Sequence, residues 1–204
     1  AADAGIENSG GGLRTMKVLS VFCHPRRHSL TGAVLDAFNG GLAEAGHRSE
    51  TADLHAEGFD PVLWPPDEPD WADGNKRYSD AVMAEMARVA RNDAVALIFP
   101  VWWWSMPAML KGWIDRVWNN GWAYGDRNLA GKRALALCIA GTDQDGYRKR
   151  EYDRAIDIQI RVGIFEYCGI ENAGIHMLFG SILGDPTITA SIVEEARRIG
   201  REFT

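Results

Sequence analysis

The sequence predicts an α/β fold: a doubly wound, five-stranded parallel sheet with helices on both faces. Two observations carry this expectation. Short, mostly apolar runs of strand length recur along the chain, as strands buried on both faces of a parallel sheet do. Between them lie segments with an apolar residue every four positions, the spacing of one helix face. Strands and helices that alternate, joined by right-handed crossovers, build one sheet covered on both sides.

Taken in order, residues 1–15 are small, polar and glycine-rich, with Gly10, Gly11 and Gly12 in succession, and read as a flexible leader. One domain is expected over residues 16–204. Its first strand is the run from Val18 to Cys23, and Val34, Phe38 and Leu42 mark the helix that follows. Glu50 to Leu54 alternates weakly and is the expected second strand. His55 to Lys76 carries Pro61, Pro65, Pro66 and Pro69, which predicts an irregular excursion. A helix over Ser79 to Arg91 presents Val82, Met86 and Val89, and Ala94 to Phe99 is the third strand. Pro107 suits a first helical turn, and Leu110, Ile114, Val117 and Trp118 form the stripe of the helix it opens. Ala134 to Ile139 and Ile175 to Phe179 complete the strands. Ile156, Ile160 and Ile164 mark a helix between those two, and Ile188, Ile192, Ala196, Ile199 and Phe203 trace the last.

A chain of 204 residues, 46% hydrophobic and 25% charged, has an ordinary globular composition and can bury roughly 70% of its unfolded surface. The net charge of -6 argues against nucleic acid or anionic lipid as the main partner, since both demand a basic face. No apolar run approaches the roughly 18 residues that cross a bilayer, so no membrane insertion is expected. Cys23, Cys138 and Cys168 lie in or beside apolar segments without Cys-x-x-Cys spacing. They read as buried thiols of a cytoplasmic protein, with no metal site.

In an open parallel sheet the ligand crevice lies outside the carboxyl ends of the strands, where the chain order reverses. Three loops fall there. In the first, His24 to Thr31, the amides of a helix start and the hydroxyls of Ser29 and Thr31 can converge on a phosphate; the alternative is a solvated loop capped by Ser29. The second, Pro100 to Met106, holds Trp102, Trp103 and Trp104, and six of the eight tryptophans lie between Trp102 and Trp122. Adjacent side chains diverge, so three successive indoles cannot share one core, and Trp103 and Trp104 are expected to line a pocket for a flat aromatic ligand. Trp113 and Trp118 lie on the helical stripe and suit packing. The third loop, Ala140 to Tyr147, offers close backbone approach at Gly141 and Gly146 and a tyrosine hydroxyl; Asp143, Gln144 and Asp145 also suit a solvated turn.

The stretch FPVWWWSMPAMLKGWIDRV, Phe99 to Val117, strongly resembles the NAD(P)H:quinone oxidoreductase family of flavodoxin-like flavoproteins, which carry Phe-Pro-x-x-Trp-x-x-x-Pro-Ala-x-x-Lys-Gly-Trp here. His24 with Ser29, Asp53-Leu54, Phe59 with Pro61, and Trp122-Ala123-Tyr124 match in the same order. The resemblance covers nearly all of the chain from Met16 and is greatest to short bacterial members, including ancillary subunits of potassium efflux systems. It implies a bound flavin, FMN or FAD, with NAD(P)H as co-substrate, a small aromatic acceptor such as a quinone, and a homodimer. His24, Ser29, Leu30 and Thr31 would hold the ribityl phosphate. Pro100, Val101, Trp102, Trp103, Trp104, Ala140, Gly141 and Thr142 would wrap the ring. Tyr147 matches a tyrosine that stabilises charge on the reduced flavin, and Tyr124 one that closes the pocket from the second subunit. Two positions depart from the pattern: Asp153 stands where better-studied members have a histidine partner to that tyrosine, and Thr142 where they have a second glycine.

The expected activity is two-electron, ping-pong reduction of an aromatic acceptor, catalysed by Tyr147, Trp103 and Tyr124 with the electron chemistry left to the flavin. The alternatives are a flavin-binding regulatory subunit of a potassium efflux or other membrane transport system, and a one-electron carrier. A flavin-free dehydrogenase lacks its signature, since no G-x-G-x-x-G follows a strand.

Overall fold

In the computed structural model, which describes residues 14–204, five parallel strands form one sheet in the order β2-β1-β3-β4-β5. The leader expected at the amino terminus lies outside the described residues except for Arg14 and Thr15. β1 (Lys17–Phe22), β3 (Ala94–Pro100) and β4 (Arg133–Ile139) are the three apolar runs. They hold the middle of the sheet, so both their faces are covered and alternation disappears.

The edge strands are displaced from their sequence signals. β2 spans Arg48–Asp53, two residues ahead of the alternating stretch, because pairing with β1 sets its limits: Lys17 lies opposite Arg48 and Phe22 opposite Asp53. β5 spans Asn172–Leu178 and starts three residues before Ile175, opposite Arg133 of β4. An edge strand buries less of each side chain, so its composition reports its bounds poorly.

α1 (Leu30–Glu44) and α6 (Pro186–Arg201) cover one face of the sheet, around Phe22, Leu35, Phe38, Ile98, Leu137 and Ile199. α2 (Asp80–Ala90), α3 (Ala108–Val117) and the α5 segment, which starts at Tyr152, cover the other, around Leu97, Phe99, Leu110, Trp113 and Phe165. Between β4 and α5 the chain makes one further short helix, α4 (Gln144–Arg148), where the sequence suggested only a loop.

α5 (Tyr152–Asp157) continues without a break into a π-helix over Ile158–Glu166. Its wider turn changes which side chains face inward. The four-residue spacing of Ile156, Ile160 and Ile164 predicted one stripe, but the buried set is Ile156, Ile160 and Phe165, and Ile164 is only half-buried. An i→i−5 hydrogen bond, from the Tyr167 amide to the Val162 carbonyl (3.3 Å), carries this geometry to the segment's end.

The proline-rich excursion is anchored on α3. Arg116 pairs with Asp67 at 2.7 Å, both side chains being almost fully buried, and also donates to the Asp60 carbonyl. Asp67 accepts two more hydrogen bonds, from the amide and hydroxyl of Ser79, the cap of α2. The prolines leave room there for a single 3₁₀ turn, Pro65–Asp67; this buried pair supplies most of the remaining order. Among the described residues no helix is long and apolar enough to cross a membrane.

Candidate active site

The first loop meets the second at the carboxyl ends of β1 and β3, where the His24 and Trp102 rings lie 6.1 Å apart. The Ser29 hydroxyl caps α1 by accepting from the Gly32 amide (3.2 Å). The first amides of a helix have no partner within it, so those of Leu30 and Thr31 face outward beside the half-buried Ser29. Thr31 is buried at the helix start. His24 Nδ1 faces both the carbonyl (2.9 Å) and the amide (3.0 Å) of Arg26, which leaves Nε2 for a ligand. Burial, with the nearby charge of Arg26 and His55, holds His24 below the usual histidine range, so the ring is neutral at pH 7. Arg27 turns away to Asp36 and the Gly32 carbonyl.

His55, two residues beyond the end of β2 as His24 is beyond β1, also faces this region. Its Nε2 is buried with no hydrogen-bond partner among the described residues. Helix-start amides, two hydroxyls and the Nε2 atoms of His24 and His55 together suit a phosphate monoester.

The second loop is a tight reversal. Trp102 and Ser105 exchange backbone hydrogen bonds (3.0 and 3.1 Å), and the two residues between them, Trp103 and Trp104, have φ of +50° and +59°. Positive φ at both central positions is a type I′ turn, normally built from Asn and Gly. Each tryptophan there carries roughly 1–2 kcal/mol of left-handed strain. Trp102, Trp103 and Trp104 are 44%, 94% and 42% exposed. The expected pocket is therefore an open aromatic shelf within one chain, with Trp103 at its tip. Trp113 and Trp118 are buried and meet edge to face at 6.3 Å.

Beneath the shelf lies a group of rings that the sequence only half revealed. Trp104 stacks on Tyr152 at 3.7 Å and 16°, and Tyr147 meets Trp104, Tyr152 and Phe179 edge-on at 5.5, 6.0 and 5.3 Å. Tyr147 is 1% exposed, and burial, with Cys138 beside it, pushes its phenol up to about 12. It stays protonated at neutral pH and acts only as a neutral O–H. Tyr152 gave no sequence signal: it follows Tyr147 by five residues, which is not a helical spacing.

The third loop is stapled from one side. The Gly180, Ser181 and Ile182 amides donate to the Thr142, Ala140 and Gly141 carbonyls (2.9–3.1 Å). Asp143, read as part of a solvated turn, caps α4 by accepting from the Gly146 amide (2.8 Å). Pro100 ends β3, and the Val101 amide donates to Ile139 (2.9 Å), which holds the second and third loops side by side. Asp153 lies in the first turn of α5 and accepts from the Arg154 amide (3.0 Å).

Tyr124 does not join this shelf within one chain. It packs on Trp71 and Tyr167, each at 5.6 Å, in a groove of about 310 Å³ lined also by Leu63, Ile114 and Trp118. A larger concavity, about 420 Å³ around Arg133, His176 and Arg198, lies at the opposite, amino ends of β4 and β5.

Residues 16–202 match the family described by its flavodoxin-like fold. The chain is 35% identical over 174 residues to the uncharacterized NAD(P)H oxidoreductase YcaK of Escherichia coli, covering 85% of this chain and 88% of that protein. It is 28% identical to the ribosyldihydronicotinamide dehydrogenase [quinone] of Mus musculus, covering 80% and 81%. The solved NAD(P)H:quinone oxidoreductase of Methanothermobacter marburgensis superposes with a TM-score of 0.88 at 33% identity, over 92% of this chain and 96% of that one.

Proposed function

The chain belongs to the flavodoxin-like family, and we propose that it is a flavin-dependent NAD(P)H oxidoreductase that reduces a quinone or similar small aromatic acceptor. The observation that carries this reading is the meeting, at the carboxyl ends of β1, β3 and β4, of an anion-binding helix start with a strained, exposed tryptophan turn. Relatives named as NAD(P)H and quinone oxidoreductases support it.

Bound at this site, a flavin would accept hydride from the nicotinamide cofactor and return two electrons to the acceptor. The protein's own residues bind, orient and exclude water. His24, Ser29, Leu30 and Thr31 hold the phosphate of FMN or the corresponding phosphate of FAD. Trp102, Trp103 and Trp104 supply an apolar wall, with Pro100, Val101, Ala140, Gly141 and Thr142 against the ring edge. Tyr147 keeps its proton on Oη, so the site gains a hydrogen-bond donor without a second negative charge.

A second copy of the chain covers the face of Trp71, Tyr124 and Tyr167, where Trp71 and Tyr167 are 71% and 63% exposed. Tyr124 then reaches the partner's site. Sedimentation of the purified protein checks the homodimer, and Tyr124→Ala is expected to raise KM for the acceptor. The three buried, free thiols suit the cytoplasm.

The deciding measurement is the visible spectrum of the purified protein, then NADPH without oxygen, then menadione. Flavin absorbance that bleaches and returns supports the reading, and the released cofactor identifies FMN or FAD. A protein that neither carries nor takes up flavin overturns it.

A further inference from the structure

We propose that Tyr152 is the positioning residue that sets which aromatic acceptors the enzyme takes, acting through Trp104. This rests on the oxidoreductase reading above. Tyr152 occupies one face of the Trp104 indole, with ring centroids 3.7 Å apart and planes 16° from parallel, and meets Tyr147 at 6.0 Å. A second link holds the same turn: the Ser105 hydroxyl donates to Gln159 Oε1 (2.8 Å) on the π-helical segment. Trp103, the other left-handed residue, has no such support and is 94% exposed. Trp104 is clamped on one face and still 42% exposed, and its neighbour has no such support.

The clamp depends on a break in the chain. Glu151 has φ +56° and separates α4 from α5. In an unbroken helix, five residues turn by about 140° past a full circle, and Tyr147 and Tyr152 would face different ways. With the left-handed residue between them, both reach Trp104. A π-helix and a strained non-glycine residue in one short segment are features that persist where neighbouring contacts hold them.

The consequence is selectivity by acceptor size. Stacking gains grow with the ring area that overlaps, so a two-ring acceptor draws more from a fixed Trp104 than a one-ring acceptor does. Without the Tyr152 ring, Trp104 loses the contact that offsets its strained backbone, and the wall is no longer held.

The test compares 2-methyl-1,4-naphthoquinone with methyl-1,4-benzoquinone in the flavin-loaded enzyme and its Tyr152→Ala, Tyr152→Leu and Tyr152→Phe variants. In the Ala and Leu variants KM for the naphthoquinone is expected to rise about fivefold to tenfold, the worth of one aromatic stack, and KM for the benzoquinone by less than about twofold. Tyr152→Phe keeps the ring and restores the wild-type ratio. Equal changes for both quinones, or a Phe variant that resembles Ala, overturns the proposal. Leu keeps apolar bulk, so it decides the matter if Ala does not fold. If the wild-type chain neither binds flavin nor turns over NADPH, the functional reading has failed, and Tyr152 is judged by quinone quenching of tryptophan fluorescence in wild type and the Leu variant. A naphthoquinone-selective loss of binding supports the proposal there, and an unselective one or none overturns it.

Discussion

Gly32 lies beneath the backbone of Arg27 so closely that a Cβ on it would stand 1.9 Å from the Arg27 carbonyl oxygen. The first loop folds down onto the opening turn of α1, and only a residue without a side chain permits it. Gly32→Ala must lift the loop, at a cost of about 1–3 kcal/mol. Flavin affinity is expected to fall at least about tenfold, since the donors at the helix start lose their common target. A fluorescence titration of the apoprotein with FMN checks this; unchanged affinity removes the loop from the phosphate site.

Trp103 stores strain without packing against its own chain. Trp103→Gly relieves a left-handed tryptophan while losing little contact, so the apoprotein is expected to gain about 1 kcal/mol and melt a few degrees higher. The same variant should bind flavin or acceptor more weakly, because the wall loses its tip. Differential scanning calorimetry with a flavin titration reads both; a lower melting temperature would mean that the turn is not strained.

Asp67 and Arg116 form the buried pair that anchors the proline-rich excursion. Removing one partner leaves a charge without compensation in the interior, and Asp67→Ala is expected to cost about 3–5 kcal/mol. The excursion carries Trp71, so the proposed dimer should weaken with it. Urea unfolding and sedimentation of the same preparation measure the two effects.

Glu50 hydrogen-bonds Arg91, Asn92 and Arg88, which together hold its carboxyl at about 2 against an ordinary 4.5. The lowered value means that the contribution is complete above pH 4.5 and is lost as the pH falls toward 2. Glu50→Gln should destabilise the protein at pH 7 by roughly 1–2 kcal/mol, a figure reduced for the partial exposure of the group. The gap between variant and wild type should narrow below pH 4.5 in denaturant titrations; a constant gap would assign the effect to shape, not charge.

The elements most legible in the sequence are those whose signal sits in contiguous residues. β1, β3 and β4 are continuous apolar runs because both their faces are buried, and α2 and α6 carry the apolar spacing of one helix face, with Ser79 and Asp185 found as their caps. The loops after those three strands stood out by composition, and the structure brings His24 beside Trp102 and Trp104 beside Tyr147. The sequence could not show the limits of β2 and β5, which pairing with β1 and β4 decides, or the π-helical turn that buries Phe165 in place of Ile164. Nor could it show that two adjacent tryptophans take left-handed backbone, that Glu151 does the same, and that Tyr152 is thereby brought under Trp104. Periodicity and composition are properties of neighbours along the chain, and they determine which segments are buried and where the chain turns. Register, strain and ring stacking depend on residues distant in sequence or separated by a backbone break, and only their packing in three dimensions decides them.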